Sequence, residues 1–332
     1  MTSVLTSVPS DDARDTTLIP FSLWTIHGLE ASVLAKAELP HLRTWLTQAQ
    51  RVAVHVDTVE EPLLATLSPP HERAWAQAVG WPTTDGGLPW AARAAAEQGL
   101  MADSATEGWA FITLCNWHVS NGQVTLGDPA YLQIDEATDA TLFQAMQSFF
   151  AEDGIALHPY KPGQWLAQSP LLAGLPTASV DRVIGRNIDP WLVGHPVLRR
   201  LQNEMQMLLY THAVNEGRAL TINSFWWHGA GALPTEKSST ASSPCHVPDQ
   251  PCVAALRTAA LQQDVVGWLE AWQAVDAQVI QPLLQTQPSH MSLVLCGDHV
   301  AHVHEAMAPG WWQSLMQKFK TMSMNQVIGV SS

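Results

Sequence analysis

Between Asp181 and Gly231 stand seven candidate anion-binding side chains: Arg182, Arg186, Asn187, Asn215, Arg218, Asn223 and His228. A guanidinium donates two parallel hydrogen bonds from a planar fork, which suits phosphate and carboxylate. The chain carries a formal net charge of -14, so an anion needs a local cluster of this kind. The competing account is internal pairing, because Asp181 and Asp189 flank Arg182 and Arg186, and Glu216 lies near Arg218. Two further places could do chemistry. Asp298-His299 follows an apolar run and offers either metal ligands or an acid–base couple; the plainer reading is a turn. His71 stands near the start of a helix, where a phosphoryl group could be accepted; the plainer reading is a solvated first-turn residue.

The elements that must hold these residues can be read from periodicity. After Pro196, Leu198, Leu201, Met205, Leu208, Leu209 and His212 recur at three- and four-residue spacing and mark one apolar helical face. Thr221 to Trp227 reads as a buried strand, and His228-Gly-Ala-Gly231 as a tight loop at its C-terminal end, the edge where open α/β sheets bind ligands. Ser292 to Cys296 is a buried strand delivering Gly297-Asp298-His299, followed by a strand from Val300 to Glu305 and a last helix near Trp311 to Phe319. Thr17 to Ile26 reads as a first strand, ending at His27-Gly28. Ser68 suits an N-cap and Pro69 the first turn of the helix that carries His71. WAFITLCNWHV and Gln123 to Leu126 form two strands joined by a Ser120-Asn-Gly122 turn. Trp268, Leu269, Trp272, Val275, Val279 and Leu283 form a helical stripe read as core.

Composition sets the outer bounds. With 332 residues, 46% of them apolar and 14% charged, the chain is globular and can bury a large core. The acidic balance repels a phosphate backbone, so nucleic acid is not an expected partner. No run of eighteen apolar residues exists, so no membrane span is expected. The polar, acidic N-terminus lacks the apolar segment of a signal peptide. Four scattered cysteines fit a reducing cytoplasm, and the spacing of Cys245, His246 and Cys252 fits no zinc pattern well. GxGxxG and P-loop motifs are absent.

VNEGRALTINSFWWHGAG is similar to the "N-x-x-R … N-x-x-W-x-x-G-x-G" segment of archaeal-type cofactor-independent phosphoglycerate mutases. WAFITL, DEATDATLFQAMQSFFAEDGIALHP and WLA resemble their inserted domain. AWQAVDAQVIQPLL and MSLVLCGDH resemble the helix and metal-binding strand of their alkaline-phosphatase-like core. SPPHERA, EDGI, DRVIGRN, EMQMLLYTH and INSFW resemble more closely a proteobacterial family of regulatory proteins of the RpfE type. The resemblance implies an alkaline-phosphatase-like α/β fold: a central, mostly parallel sheet with helices on both faces and a small inserted α+β domain. The boundaries it implies are 1–105 for the first part of the core, 106–181 for the insert and 182–332 for the second part of the core.

The departures from the mutase pattern are specific. The first strand runs into Thr25-Ile26-His27-Gly28 without an aspartate. His71 and Glu72 stand at the position of the nucleophilic serine. The stretch between Gly231 and Val266 is too short for the D-x-x-x-H element. Asp298 and His299 remain as an incomplete metal pair. Phosphoryl transfer depends on metal charge and in-line positioning, so the expectation is a degenerate mutase-like protein that binds a small anionic or phosphorylated ligand, or regulates, with no cofactor. The alternative is an active mutase or phosphatase with a rebuilt site, using His71 and manganese or zinc. The tryptophan-rich composition leaves room for a protein partner.

Overall fold

The computed structural model describes residues 15–24, 37–56, 66–100, 107–234, 245–286, 291–306 and 328. In chain order the first elements are β1 (Asp15–Ile19), α1 (Pro40–Thr47), β2 (Ala49–Val56), α2 (Pro70–Ala78) and α3 (Trp90–Glu97). Then come β3 (Gly108–Cys115), β4 (Trp117–Ser120), β5 (Gln123–Leu126), α4 (Glu136–Glu152), β6 (Ala156–Lys161) and β7 (Gln164–Ser169). The remainder is α5 (Val180–Val183), α6 (Pro196–Thr211), β8 (Ser224–Gly231), β9 (Cys245–His246), α7 (Pro251–Leu261), α8 (Val265–Val275), α9 (Gln281–Gln285), β10 (Met291–Cys296) and β11 (Val300–Ala306). The chain divides into two compact units: residues 1–58, 70–82 and 237–332 form the first, and residues 59–69 and 83–236 the second. The expected boundary at Asp181 falls inside the second unit.

The first unit holds a five-stranded sheet in the order β2-β11-β10-β1-β9. β1 runs parallel to both β10 and β9, whereas β11 is antiparallel to β10 and to β2. The sheet is therefore mixed, not mostly parallel as expected. The cause is the short Gly297-Asp298-His299 link, because a connection of three residues can only return an antiparallel strand. Trp45, Leu256, Trp268, Trp272 and Val275 from the helices cover one face together with Leu293 and Leu295. Ala74 and Trp75 of α2 lie on the other face with Leu18, Val294 and Ala301.

The tryptophan stripe of α8 does more than fill space. Trp268 Nε1 donates to the Phe21 carbonyl at 2.8 Å, and Trp272 Nε1 to that of Ser22 at 3.0 Å. Ser22 Oγ donates to Ile19 O at 2.7 Å and accepts the Cys296 amide at 2.8 Å, tying the ends of β1 and β10 together. β1 thus stops at Ile19, short of the expected strand, because Pro20 and Phe21 turn; Phe21 is left-handed at φ 57. Thr25 and Ile26, the last residues of the expected strand, and the terminal helix near 311–319 lie outside the described residues.

The second unit holds an antiparallel sheet, β6-β7-β3-β8, and a separate β4-β5 hairpin. Every residue of β3 is buried. Ala110, Ile112 and Leu114 pack with Leu142, Met146 and Phe150 of α4 and with Leu198, Leu201, Met205 and Leu209 of α6. Trp109 and Phe111 face the alanines of α3. His228-Gly-Ala-Gly231, expected as a loop, is the second half of β8. Its partner β3 continues alongside, pairing Phe111 with His228 and Trp109 with Gly231 across an irregular register. Gly229 is left-handed at φ 60, and a Cβ there would stand 3.1 Å from both Phe111 Cδ2 and Trp90 Cβ. The glycines thus accommodate a bulge within a ladder.

α1 begins at Pro40 without a side-chain cap of its own. Asp276, buried in the π-helical turn after α8, supplies one from far along the chain, accepting the amides of His41 at 3.1 Å and Leu42 at 2.6 Å. A carboxylate suits the positive end of a helix. Asp276→Ala is expected to lower the unfolding free energy by about 2 kcal/mol, with Asp276→Asn costing less, as measured by urea denaturation.

Candidate functional site

The clearest polar arrangement in the second unit lies across three strands. β3 carries Thr113, and β7 pairs Gln164 opposite it. His228 of β8 reaches Thr113 Oγ1 with Nε2 at 2.8 Å. Gln164 Nε2 donates to the same oxygen at 2.9 Å. The hydroxyl has one proton and two acceptor lone pairs, so the direction of its bond with His228 Nε2 follows the imidazole tautomer. Its ring stacks on Phe111 at 5.1 Å and 29°. Burial lowers the His228 pKa to about 4, against the opposing pull of Asp181. Thr113 is a lone polar residue within an apolar strand, and that isolation is the sequence signal that could have drawn attention to it; Gln164 gave none.

Asp181 belongs to α5, whose neighbourhood is built from backbone ties. Arg182 is 2% exposed and donates from Nη2 to the Ser68 carbonyl at 3.4 Å. Arg186 Nη1 donates to the Arg182 carbonyl at 3.1 Å. Asn187 Oδ1 accepts the Asp189 amide at 3.4 Å, and its backbone bridges Thr125. Ser68, expected as a helix cap, instead accepts the Gly86 amide at 2.9 Å. Asp85 gathers the amides of Leu67 and Ser68 at 2.8–3.0 Å, fixing the glycine-rich loop. A Cβ on Gly86 would overlap the Leu67 side chain, and its φ of 73 suits glycine.

The other three residues stand in two further groups. Asn215 clasps the end of α6 to the start of β8, donating to Leu209 O at 2.8 Å and Ile222 O at 3.0 Å while accepting the Ile222 amide at 2.7 Å. Arg218 Nη2 donates to the Leu132 carbonyl, and its charge helps lower the pKa of Asp135, after the larger effect of hydrogen bonds from Thr138. Asn223 exchanges two hydrogen bonds with the Trp117 backbone at 2.7 and 2.9 Å. Arg182, Arg186 and Asn187 are thus local neighbours, and His228 feels the adjacent Asp181; Asn215 with Arg218, and Asn223, serve other junctions.

In the first unit, Asp298 and His299 occupy the turn between β10 and β11, closed by the Gly297 amide donating to Val300 O at 2.7 Å. Their side chains meet each other, His299 Nε2 to Asp298 Oδ2, at 3.0 Å. His71 lies in the first turn of α2, which packs against β1, β10 and β11. It is buried, with its ring 5.3 Å from that of Phe21. His27 lies outside the described residues. Among the described residues, no three His, Cys, Asp or Glu side chains gather as a metal site. No helix of the described residues is long and apolar enough to cross a membrane. Cys245 and His246 form β9, beside β1, where His246 Nδ1 stands 3.5 Å from Asp15.

No family model matches the chain, and no curated protein does either. Among solved structures, the chain is similar to the PH0037 protein from Pyrococcus horikoshii, with 13% identity, 89% of this chain and 88% of that one covered, and a TM-score of 0.45. It is also similar to a cofactor-independent phosphoglycerate mutase from Thermoplasma acidophilum, with 13% identity, 95% and 98% covered, and a TM-score of 0.35. Neither likeness speaks to activity.

His228 has company in its lowered pKa: burial also holds His302 at about 4 and His304 at about 3. In the unfolded chain each returns to about 6.5. Between these values the unfolded chain binds more protons, so the stability these groups contribute is fully present above about pH 6.5 and is lost as pH falls through their folded pKa values. Urea midpoints are therefore expected to decline steadily from about pH 7 toward pH 4, and His228→Gln is expected to flatten part of that decline.

Proposed function

We propose that this chain is a degenerate phosphoglycerate-mutase-like protein that binds a small anionic or phosphorylated ligand and acts as a binding or regulatory protein, without a two-metal phosphotransferase centre. The observation that carries this reading is the placement of Asp298 and His299. They lie in a tight hairpin turn, His299 Nε2 3.0 Å from Asp298 Oδ2, and the described residues hold no group of three or more ligating side chains. Such a donor set does not fit a two-metal centre, which needs several carboxylates and imidazoles converging from different elements. The departures in sequence at the first strand and at His71 agree with it.

The ligand side of the proposal rests on arginine. Arg182 and Arg186 are close in a strongly acidic chain, with His228 beside the same α5 segment through Asp181. Arg186, Asn187, Asn215, Arg218, Asn223 and His228 remain the candidates for contact with the ligand, and Arg182 for holding the segment in place. His71, Asp298 and His299 would be remnants. Localisation in the cytoplasm and the likeness to regulatory proteins of the RpfE type belong to the same proposal.

Metal analysis of purified protein is expected to give well under one manganese or zinc ion per chain. Two tightly bound ions, or turnover of 3-phosphoglycerate to 2-phosphoglycerate in a coupled assay with manganese, would overturn the reading. Calorimetry with 3-phosphoglycerate is expected to show binding that Arg186→Ala and Arg218→Ala each weaken by about tenfold, with cooperative unfolding retained.

A further inference from the structure

We infer that the first unit carries a second, separate oxyanion site, formed by Arg51, His302 and His304 on the mixed sheet. β11 places His302 and His304 two residues apart, so both project from one face. The register sets His302 beside Leu295 and His304 beside Leu293, on the helix-covered apolar face. They are 7% and 3% exposed. β2 pairs Arg51 with His304 from the other side.

What marks the place is unmet hydrogen bonding. His302 Nδ1 and His304 Nε2 are buried without a partner. An imidazole nitrogen removed from water without a replacement partner destabilises the fold, and two such rings side by side are an unusual expense on a face otherwise built of leucine, valine and tryptophan. The rings stand 6.2 Å apart between centroids and nearly perpendicular, at 76°. Two oxygens of one carboxylate or phosphate, each at about 2.8 Å from a ring nitrogen, span a gap of that order.

Charge decides which ligand class fits. Arg51 is the ionised group that acts on both rings, and among the described residues no carboxylate acts on them. A divalent cation would meet the Arg51 charge with two neutral imidazoles and no acidic ligand. An oxyanion would be attracted by Arg51 and would accept from both rings. Its arrival supplies the missing partners and favours protonation of the imidazoles. The site uses none of the residues of the second unit, so it stands or falls apart from the function proposed above.

The test is an NMR titration of the full chain with inorganic phosphate and, in a parallel arm, acetate, following imidazole resonances assigned with His302→Gln and His304→Gln. The expected result is a saturable shift of both rings, with their pKa values raised. Arg51→Gln, at an exposed strand position that should leave folding intact, is expected to weaken that response by about tenfold, whereas Arg218→Ala leaves it unchanged. Response to phosphate alone assigns a phosphate group, and response to both assigns a general oxyanion seat. Unresponsive rings in both arms, an undiminished response in the Arg51→Gln protein, or tight zinc binding at the two histidines with no anion effect would each overturn the inference.

Discussion

The second unit depends on a strand that has no exposed side chain. β3 is buried along its whole length, which obliges the chain to supply cover on both faces and a hydrogen-bonded neighbour on each edge. α4 and α6 cover one face and α3 the other; β7 and β8 flank it. Gly108 opens the strand where an added Cβ would overlap the backbone of Leu172 and Ala173. Thr113 is the polar residue within this buried run, and its hydroxyl must be satisfied. Gln164 and His228 do that. The polar arrangement across the sheet is therefore a consequence of complete burial, and His228 is neutral for the same reason.

In the first unit the corresponding constraint sits at the ends of β1 and β10. Two parallel strands stop together, and the backbone that leaves β1 needs partners where the ladder ends. Ser22 gives one hydroxyl to both strands, and the two indoles of α8 take the next two carbonyls. Tryptophan suits this position because one side chain fills the core and also offers a directed donor. The left-handed Phe21 is held by those same bonds, at some local cost in backbone energy.

Much of this was legible in the sequence. Leu198, Leu201, Met205 and Leu209 announced the buried face of α6, and the tryptophan stripe announced α8, because periodic burial leaves a periodic signal. The apolar run before Gly297-Asp298-His299 showed where β10 ends. The mostly parallel sheet came from the resemblance; the short link between the expected strands Ser292–Cys296 and Val300–Glu305 already required an antiparallel pair. His228-Gly-Ala-Gly231 was read as a loop because glycine usually marks one, yet here it relieves a bulge against Phe111 and Trp90. Ser68 has the residue type of a cap but bonds Gly86.

The arginines bring out what residue type alone leaves open. In an acidic chain a guanidinium has many carboxylates to choose from, and a salt bridge is the obvious guess. Arg182, Arg186 and Arg218 each donate to a main-chain carbonyl, of Ser68, Arg182 and Leu132 respectively. A guanidinium has five N–H donors, and one bond to a carbonyl does not exhaust them or cancel the charge. A carbonyl fixes the fork in place without neutralising it, whereas a bidentate carboxylate would do both. An arginine anchored in this way keeps its attraction for an anion while giving up conformational freedom in advance, which lowers the entropy an arriving ligand must remove. Structural anchoring and ligand binding are then compatible roles of one side chain.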